Sequence, residues 1–337
     1  MENLRVAVVG ASGLVAREVL RLLTERDEAP GRLVLLGSPR TAGATVEEAG
    51  VRARVDLLAP GCFADIDLAV FAAGPQVALE WAPAAAEAGA AVIELSSRFR
   101  LDETVPLVVP EVNPDALSGW RERGIVASPS ATVVGLSVAL APLAEAVGFH
   151  RLVVATYSGV ASAGRGAVAG LSKEITDLLS GHGQRRTRFA RRIGFNSIPQ
   201  LGDIEPGGAT THELQAVQEL RRVLGLPDLA THLTAVRVPM FFGLGLSVVL
   251  ETETPLSPED ALQILQPAPG LIVHAAGDDR YPTPVEVTGS DAVHVGRVRV
   301  DESVENGLAL WVALDNVGRG AALNAVQIAE LLVRDYL

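Results

Sequence analysis

The chain opens on a short β-branched apolar run, Leu4 to Val9, that breaks at Gly10-Ala-Ser-Gly13-Leu-Val-Ala16 and gives way to apolar residues Val15, Val19, Leu20 and Leu23 at helical spacing. That pattern predicts strand, tight turn, helix. Further apolar runs at Leu33 to Leu36, Ile66 to Phe71 and Ala91 to Leu95 predict three more strands, with an alanine-rich helix between the last two. Alternating βαβ order implies a parallel sheet that takes ligands at the carboxyl ends of its strands. Downstream, Leu171 to Leu179 and Thr211 to Leu224 read as helices with a polar face, and Ala321 to Leu332 as an amphipathic helix. The longest apolar run, Val133 to Ala144, is too short to span a bilayer.

Composition sets the scale. At 337 residues, 48% hydrophobic and with 33 glycines, the chain is expected to bury a full core and to fold as two domains of α/β type. Its 40 acidic residues against 28 basic ones, a net charge of -12, supply no positive field for a phosphate backbone or an anionic membrane. Nucleic-acid and membrane partners are therefore not expected. A single cysteine, Cys62, excludes an internal disulfide, and no Cys/His cluster has zinc-site spacing. With no basic, signal-like N-terminus, a cytoplasmic location is expected.

The glycine loop carries the first chemistry. Gly10, Ser12, Gly13, Leu14 and Val15 form a turn whose glycines admit a pyrophosphate close to backbone amides, and Ala16 lets the helix pack tightly on the strand. A bare structural turn is the alternative. The next strand ends in GSPRTAG, where Ser38 and Arg40 stand and no acidic residue awaits a ribose 2′-hydroxyl. A guanidinium there suits a 2′-phosphate and so NADP, or else is a solvated loop arginine. Ala73 and Gly74 close the third strand in AAG. Arg100, in SSRFR at the next strand exit, is an anion clamp or a surface arginine; Glu111 and Asn113 lie between prolines and can be turn residues only.

Taken in order, GASGLVA, SPRTAG, FAAG, SSRFR with PLVVPEVNP, TYSGVASAG, THELQAVQELRRVLG, RVPMFFG, VHVGRVRVD and DNVGRGAALNAVQIAE resemble the aspartate-semialdehyde dehydrogenase family along essentially the whole chain. The resemblance implies a Rossmann-like dinucleotide-binding domain from residues 1–130 and 316–337, a mixed-sheet α+β dimerisation and substrate domain over 131–315, and a homodimer. It also implies NADP-dependent reduction of an aspartyl phosphate through a cysteine thioester, with a histidine as acid and base.

Several residues depart from that implied machinery. Within GIVASPSATVVG the family's asparagine-cysteine pair falls on Ser130 and Ala131, and its histidine falls on Leu244. A glutamine beside the substrate corresponds to Ser158, and a lysine to Gln215. Arg100, Glu213 and Arg237 match charged residues of the substrate site, and Asn316 matches a cofactor-contacting asparagine. A buried Arg237–Glu213 ion pair is the structural alternative. Cys62 reads as a small apolar residue, the six histidines as ordinary surface or loop residues, and Ser128 or Ser130 as poor substitutes for a thiol without an adjacent base. The pattern points to a pseudoenzyme, similar to the Usg-type noncatalytic paralogues, with a regulatory role beside an active paralogue as one use. The alternative is a working oxidoreductase that moves hydride directly to a small anionic carbonyl compound. The basic run from Gly181 to Arg192 is expected to be a loop or dimer arm.

Overall fold

The computed structural model describes residues 1–26, 29–182, 188–275 and 281–337, and these form two compact units. One unit contains Met1–Ser130 and Ala321–Leu337, the other Ala131–Gly320. The sequence put the return to the first unit at residue 316; the compact units change over between 320 and 321.

The first unit is a seven-stranded sheet. In chain order its elements are β1 (Arg5–Val9), α1 (Leu14–Glu25), β2 (Arg32–Gly37), β3 (Thr45–Glu48), β4 (Val51–Leu57), β5 (Leu68–Phe71), α2 (Pro75–Glu87), β6 (Ala91–Glu94) and β7 (Ile125–Ala127). The strands lie in the order β3-β4-β2-β1-β5-β6-β7, all parallel except the β3–β4 hairpin. The buried strands β1, β5 and β6 are the runs that the apolar pattern marks. The hairpin escaped it because β4 alternates buried and exposed positions at the sheet's rim, with Arg52, Arg54 and Asp56 facing water. β5 starts at Leu68 rather than Ile66, since Asp67 still belongs to the incoming turn, where its carboxylate accepts from the Arg5 amide at 2.7 Å.

The second unit is built on α3 (Ala131–Val147), β8 (Phe149–Ser158), α4 (Arg165–Leu179), α5 (Thr211–Leu224), β9 (Ala230–Arg237), β10 (Leu244–Thr252), α6 (Pro258–Leu265), β11 (Leu271–Val273), β12 (Val293–Asp301) and β13 (Gly307–Leu314). Its six strands run β11-β12-β13-β10-β8-β9, with parallel pairs at both edges and antiparallel pairs between. The long apolar run is α3, buried on all sides from Thr132 to Leu140 as an all-round apolar helix must be, and its Gly135 lets it close on Leu246 and Leu314. α5 is fixed at both ends: Thr210 and Glu213 form a capping box, and Gly225 ends the helix in the left-handed region at φ 68°.

After β13 a π-helical turn, Gly318–Leu323, leads into α7 (Asn324–Asp335), which packs into the first unit's core through Val326, Ile328, Ala329 and Leu332. Among the described residues no helix is long and apolar enough to cross a membrane. Most of the central part of the basic run, residues 183–187, lies outside the described residues.

Candidate active site

In the first unit the ligand-facing features gather where β1, β2 and β5 end. Gly10 adopts φ +85°, and a Cβ there would sit 2.7 Å from the Ala72 carbonyl oxygen, so only glycine fits between the β1 and β5 exits. Its amide bonds the Leu36 carbonyl at 2.9 Å, and Gly13 bonds back to the Gly10 carbonyl at 2.8 Å, which closes the turn. α1 then begins at Leu14 with no side-chain cap, so its first amides keep their donors; α2 differs, since it starts on Pro75, which has no N–H, and its Val77 amide bonds the Gly74 carbonyl at 3.0 Å. Ser12, Gly13, Leu14, Val15 and Ala73 are half-buried around this edge. Beside it, Ser38 starts a tight turn in which its carbonyl accepts from Thr41 and Ala42, leaving Arg40 exposed at the tip. Bare amides, a glycine cradle and an exposed guanidinium fit a phosphorylated dinucleotide.

Arg100 ties its own loop to the exit of β7. Its Nε donates to the Ser128 carbonyl at 2.9 Å and one terminal nitrogen to the Leu95 carbonyl at 2.6 Å. Nearby Glu94, fully buried at the end of β6, accepts from the Ser96 amide at 2.5 Å; burial pushes its carboxyl above the usual range. Sequence reasoning passed over Glu94 because a lone acid at a strand end carries no spacing signal. Asn113 is a turn organiser, bonding both the Val109 amide and the Leu107 carbonyl.

In the second unit three of the positions meet on one rung of the sheet. Arg237 pairs with Ser158 across β9 and β8, and Ser158 with Leu244 across β8 and β10. Leu244 is 1% exposed and belongs to the core; Ala131, at the start of α3, packs against the bare backbone of Gly320, where a Cβ would come within 2.6 Å of the alanine methyl. Neither residue has an ionisable or nucleophilic atom. Ser158 spends its hydroxyl on Ser162 at 3.3 Å and on the adjacent Gly159 carbonyl.

Arg237 and Glu213 do not form the ion pair weighed from the sequence. One Glu213 oxygen accepts from the Thr210 amide at 2.6 Å and the other from the Ala235 amide at 2.7 Å, so the carboxylate clamps the start of α5 to β9. Burial pushes its pKa up, but the amides of Ala235 and Thr210 outweigh that and hold it below the usual range. Arg237 instead donates to Ser162 at 2.8 Å and lies 4.9 Å from the centre of the Phe189 ring. Burial, helped by Arg188, depresses its guanidinium to about 10. A desolvated cation with a hydroxyl and an aromatic face for company is well suited to an anionic ligand. Gln215 is half-buried on α5.

Asn316 accepts from the Gly243 amide at 2.9 Å, and its buried Nδ2 has no hydrogen-bond partner among the described residues. Cys62 belongs to the first unit, on the β4–β5 connection, lining a cavity of about 270 Å³ with Arg5, Arg32 and Asp56; burial raises its thiol pKa. Three histidines, His150, His182 and His232, are exposed. His294 is a correction to the surface reading: it is 9% exposed on β12 and hydrogen-bonded to His274, because parallel pairing with β11 brings together residues that sequence separation hides.

Comparison with known proteins agrees with this architecture. Residues 5–120 match the family profile described as semialdehyde dehydrogenase, NAD binding domain, and residues 140–319 match semialdehyde dehydrogenase, dimerisation domain. The chain is 40% identical over 336 residues, 99% of each chain, to the aspartate-semialdehyde dehydrogenase of Shewanella sp. (strain DB6705), and equally to that of Aquifex aeolicus. The crystal structure of aspartate semialdehyde dehydrogenase II of Vibrio cholerae, complexed with ASA, superposes with a TM-score of 0.96 at 40% identity and 99% coverage of both chains. A probable aspartate-semialdehyde dehydrogenase from Pseudomonas aeruginosa gives 0.94 at 34% identity, covering 99% of this chain and all of that one. With both profiles matched and relatives this similar over almost their full length, the chain belongs to the aspartate-semialdehyde dehydrogenase family.

Proposed function

We propose that this chain is a Usg-type paralogue that keeps NADP and carboxylate recognition but lacks the family's thioester reaction. The observation that carries this reading is the pair Ala131 and Leu244, a methyl group at the head of α3 and a core leucine at the head of β10, where the thiol and the imidazole would be needed. Cys62, the chain's single cysteine, cannot stand in: it lies on another unit's connection and its raised pKa keeps it a thiol. Relatives at 40% identity are named as dehydrogenases, so recognition of their ligands is the natural inheritance and the missing chemistry is the departure.

When bound, NADP would supply hydride. The Gly10–Val15 loop, Ser38, Ala73, Gly74 and the amide end of α1 would hold its phosphates, and Arg40 its 2′-phosphate. Arg237 would bind a substrate carboxylate. The dimerisation profile favours a homodimer; an active paralogue is a second partner for the same surface.

The test is NADP reduction by the purified protein with aspartate semialdehyde and phosphate. Loss of a covalent nucleophile with its base costs about 10⁶ in turnover in a well-studied hydrolase, so the expected rate is at background. Phosphate-dependent formation of NADPH by the unmodified protein would overturn the reading. Recovery of activity in the Ala131→Cys, Leu244→His double variant would show that the remaining groups are still placed. The intact glycine loop favours one second reading, direct hydride transfer to a small anionic carbonyl compound, which predicts NADPH consumption with such compounds and no dependence on phosphate.

A further inference from the structure

Away from these residues, three side chains of the second unit form a hydrogen-bonded line. Parallel pairing of β11 with β12 sets Ile272 opposite His294, and the His274 amide continues the ladder to the Val295 carbonyl at 2.8 Å. The His274 and His294 rings therefore face each other, with 3.1 Å between His274 Nε2 and His294 Nδ1. The other nitrogen of His294, Nε2, is 2.8 Å from the Ser290 hydroxyl. Ser290 follows Gly289, whose φ of +85° turns the chain and whose amide is pinned to the Asp315 carboxylate at 2.8 Å.

One proton arrangement serves the whole line. The Ala292 amide donates to Ser290 Oγ at 3.3 Å and leaves the hydroxyl proton free to point at His294 Nε2. His294 in the tautomer with its proton on Nδ1 then donates to His274 Nε2. This is the order of nucleophile, base and orienting group, with the base buried between a half-buried hydroxyl and a half-buried second imidazole. Burial, and then the neighbouring His274, lower the pKa of His294, which keeps the imidazole neutral and able to accept a proton near pH 7.

We propose that Ser290 is a base-assisted nucleophile that accepts acyl groups from activated esters. Ser290 Oγ bonds to the ester carbonyl carbon as its proton passes to His294 Nε2. The carbon–oxygen bond to the leaving group then breaks, and the departing alkoxide or phenolate takes that proton. Water, deprotonated in turn by His294, bonds to the acyl carbon; the bond from that carbon to Ser290 Oγ breaks as His294 returns the proton to the serine, and the acyl group leaves as a carboxylic acid. The site shares no residue with the proposed dinucleotide and carboxylate sites, so the two readings stand or fall separately.

The test treats the full chain with p-nitrophenyl acetate and maps acetylated residues by peptide mass spectrometry, with a fluorophosphonate as a second probe. The expected result is an adduct at Ser290 formed roughly 10²-fold faster than at the exposed Ser38, the lower end of general-base assistance. Its rate should rise with pH along a single titration and then level off. Ser290→Ala should remove that adduct, His294→Gln should lower the rate about 10²-fold, and His274→Gln should lower it less, in proteins with unchanged circular dichroism. Ser290 labelled no faster than Ser38, or a rate that climbs with hydroxide without a plateau, would overturn the proposal. Both of those readouts use the unmodified chain, so a variant that fails to fold does not spare it.

Discussion

The glycine-loop edge of the first unit and the Arg237–Ser158–Leu244 rung of the second treat their polar groups differently. At the glycine-loop edge of the first unit, the first amides of α1 stand uncapped after Gly13, and Arg40 projects from a turn. On the Arg237–Ser158–Leu244 rung of the second, Glu213 is saturated by two amides, Ser158 is spent on Ser162, and Leu244 is sealed in the core. A site made of backbone amides survives side-chain drift because sterics enforce its glycines; one made of side-chain functional groups is lost by a single substitution that packs well. Recognition can therefore outlast reaction.

Breaking the first of these regions should have the larger effect. Gly10→Ala places a methyl against the Ala72 carbonyl in a left-handed conformation, and the expected cost is roughly 2–4 kcal/mol of stability with loss of dinucleotide binding. Chemical denaturation and NADPH fluorescence titration would check both. A variant that still binds NADPH with unchanged stability would remove the steric account of this loop.

Glu213 is the corresponding point in the second unit. Glu213→Gln keeps one acceptor but turns an NH2 group toward an amide that needs one, either that of Thr210 or that of Ala235; the expected cost is about 2 kcal/mol. The sign with pH follows from its lowered pKa. The unfolded chain takes up this proton first, so the contribution is fully present above the ordinary value of 4.5 and is lost as pH falls through the lower folded pKa. Denaturation curves of the two proteins should thus converge between pH 6 and pH 3. A constant gap would mean that the carboxylate charge is not what stabilises α5.

The sequence exposes these two regions unequally. The loop is legible because strand, glycine turn and amphipathic helix are contiguous, and because Gly10 has one steric explanation. Cys62 and the Ala131 and Leu244 positions are equally legible as identities. What periodicity could not supply is the partner of each polar group: that Glu213 caps its own helix, that Arg237 meets Ser162 and Phe189, or that His274 faces His294. The Thr210–Glu213 box is local but has no apolar period, and the other contacts join residues far apart in sequence. The β3–β4 hairpin was missed for a different reason, since a rim strand half open to water has no apolar run to read.

Arg237 separates stability from binding. A buried guanidinium with a hydroxyl and a ring for partners costs desolvation that its contacts only partly offset. Arg237→Met retains the packing and removes that cost, so the melting temperature should stay within about 3 °C, a change below ~1 kcal/mol. Affinity for a carboxylate ligand such as aspartate should fall about 100-fold, the upper range for one charge-assisted hydrogen-bonded contact. Calorimetric titration alongside thermal melts would show the split. Marked destabilisation with unchanged aspartate binding would make Arg237 a structural residue.

The smallest effect belongs to Arg40, because its side chain is exposed and takes part in no packing. Removing it should leave stability unchanged, since surface substitutions away from caps and cores usually stay within about 0.5 kcal/mol. A 2′-phosphate carries charge that the strand end does not otherwise answer, so Arg40→Ala should weaken NADP binding while leaving NAD nearly untouched. Solvent screening at an exposed site limits the expected drop in the NADP-to-NAD affinity ratio to about 10-fold. It should shrink further as salt is raised. A salt-independent ratio, or equal loss for both dinucleotides, would place the 2′-phosphate elsewhere and leave the loop with pyrophosphate recognition alone.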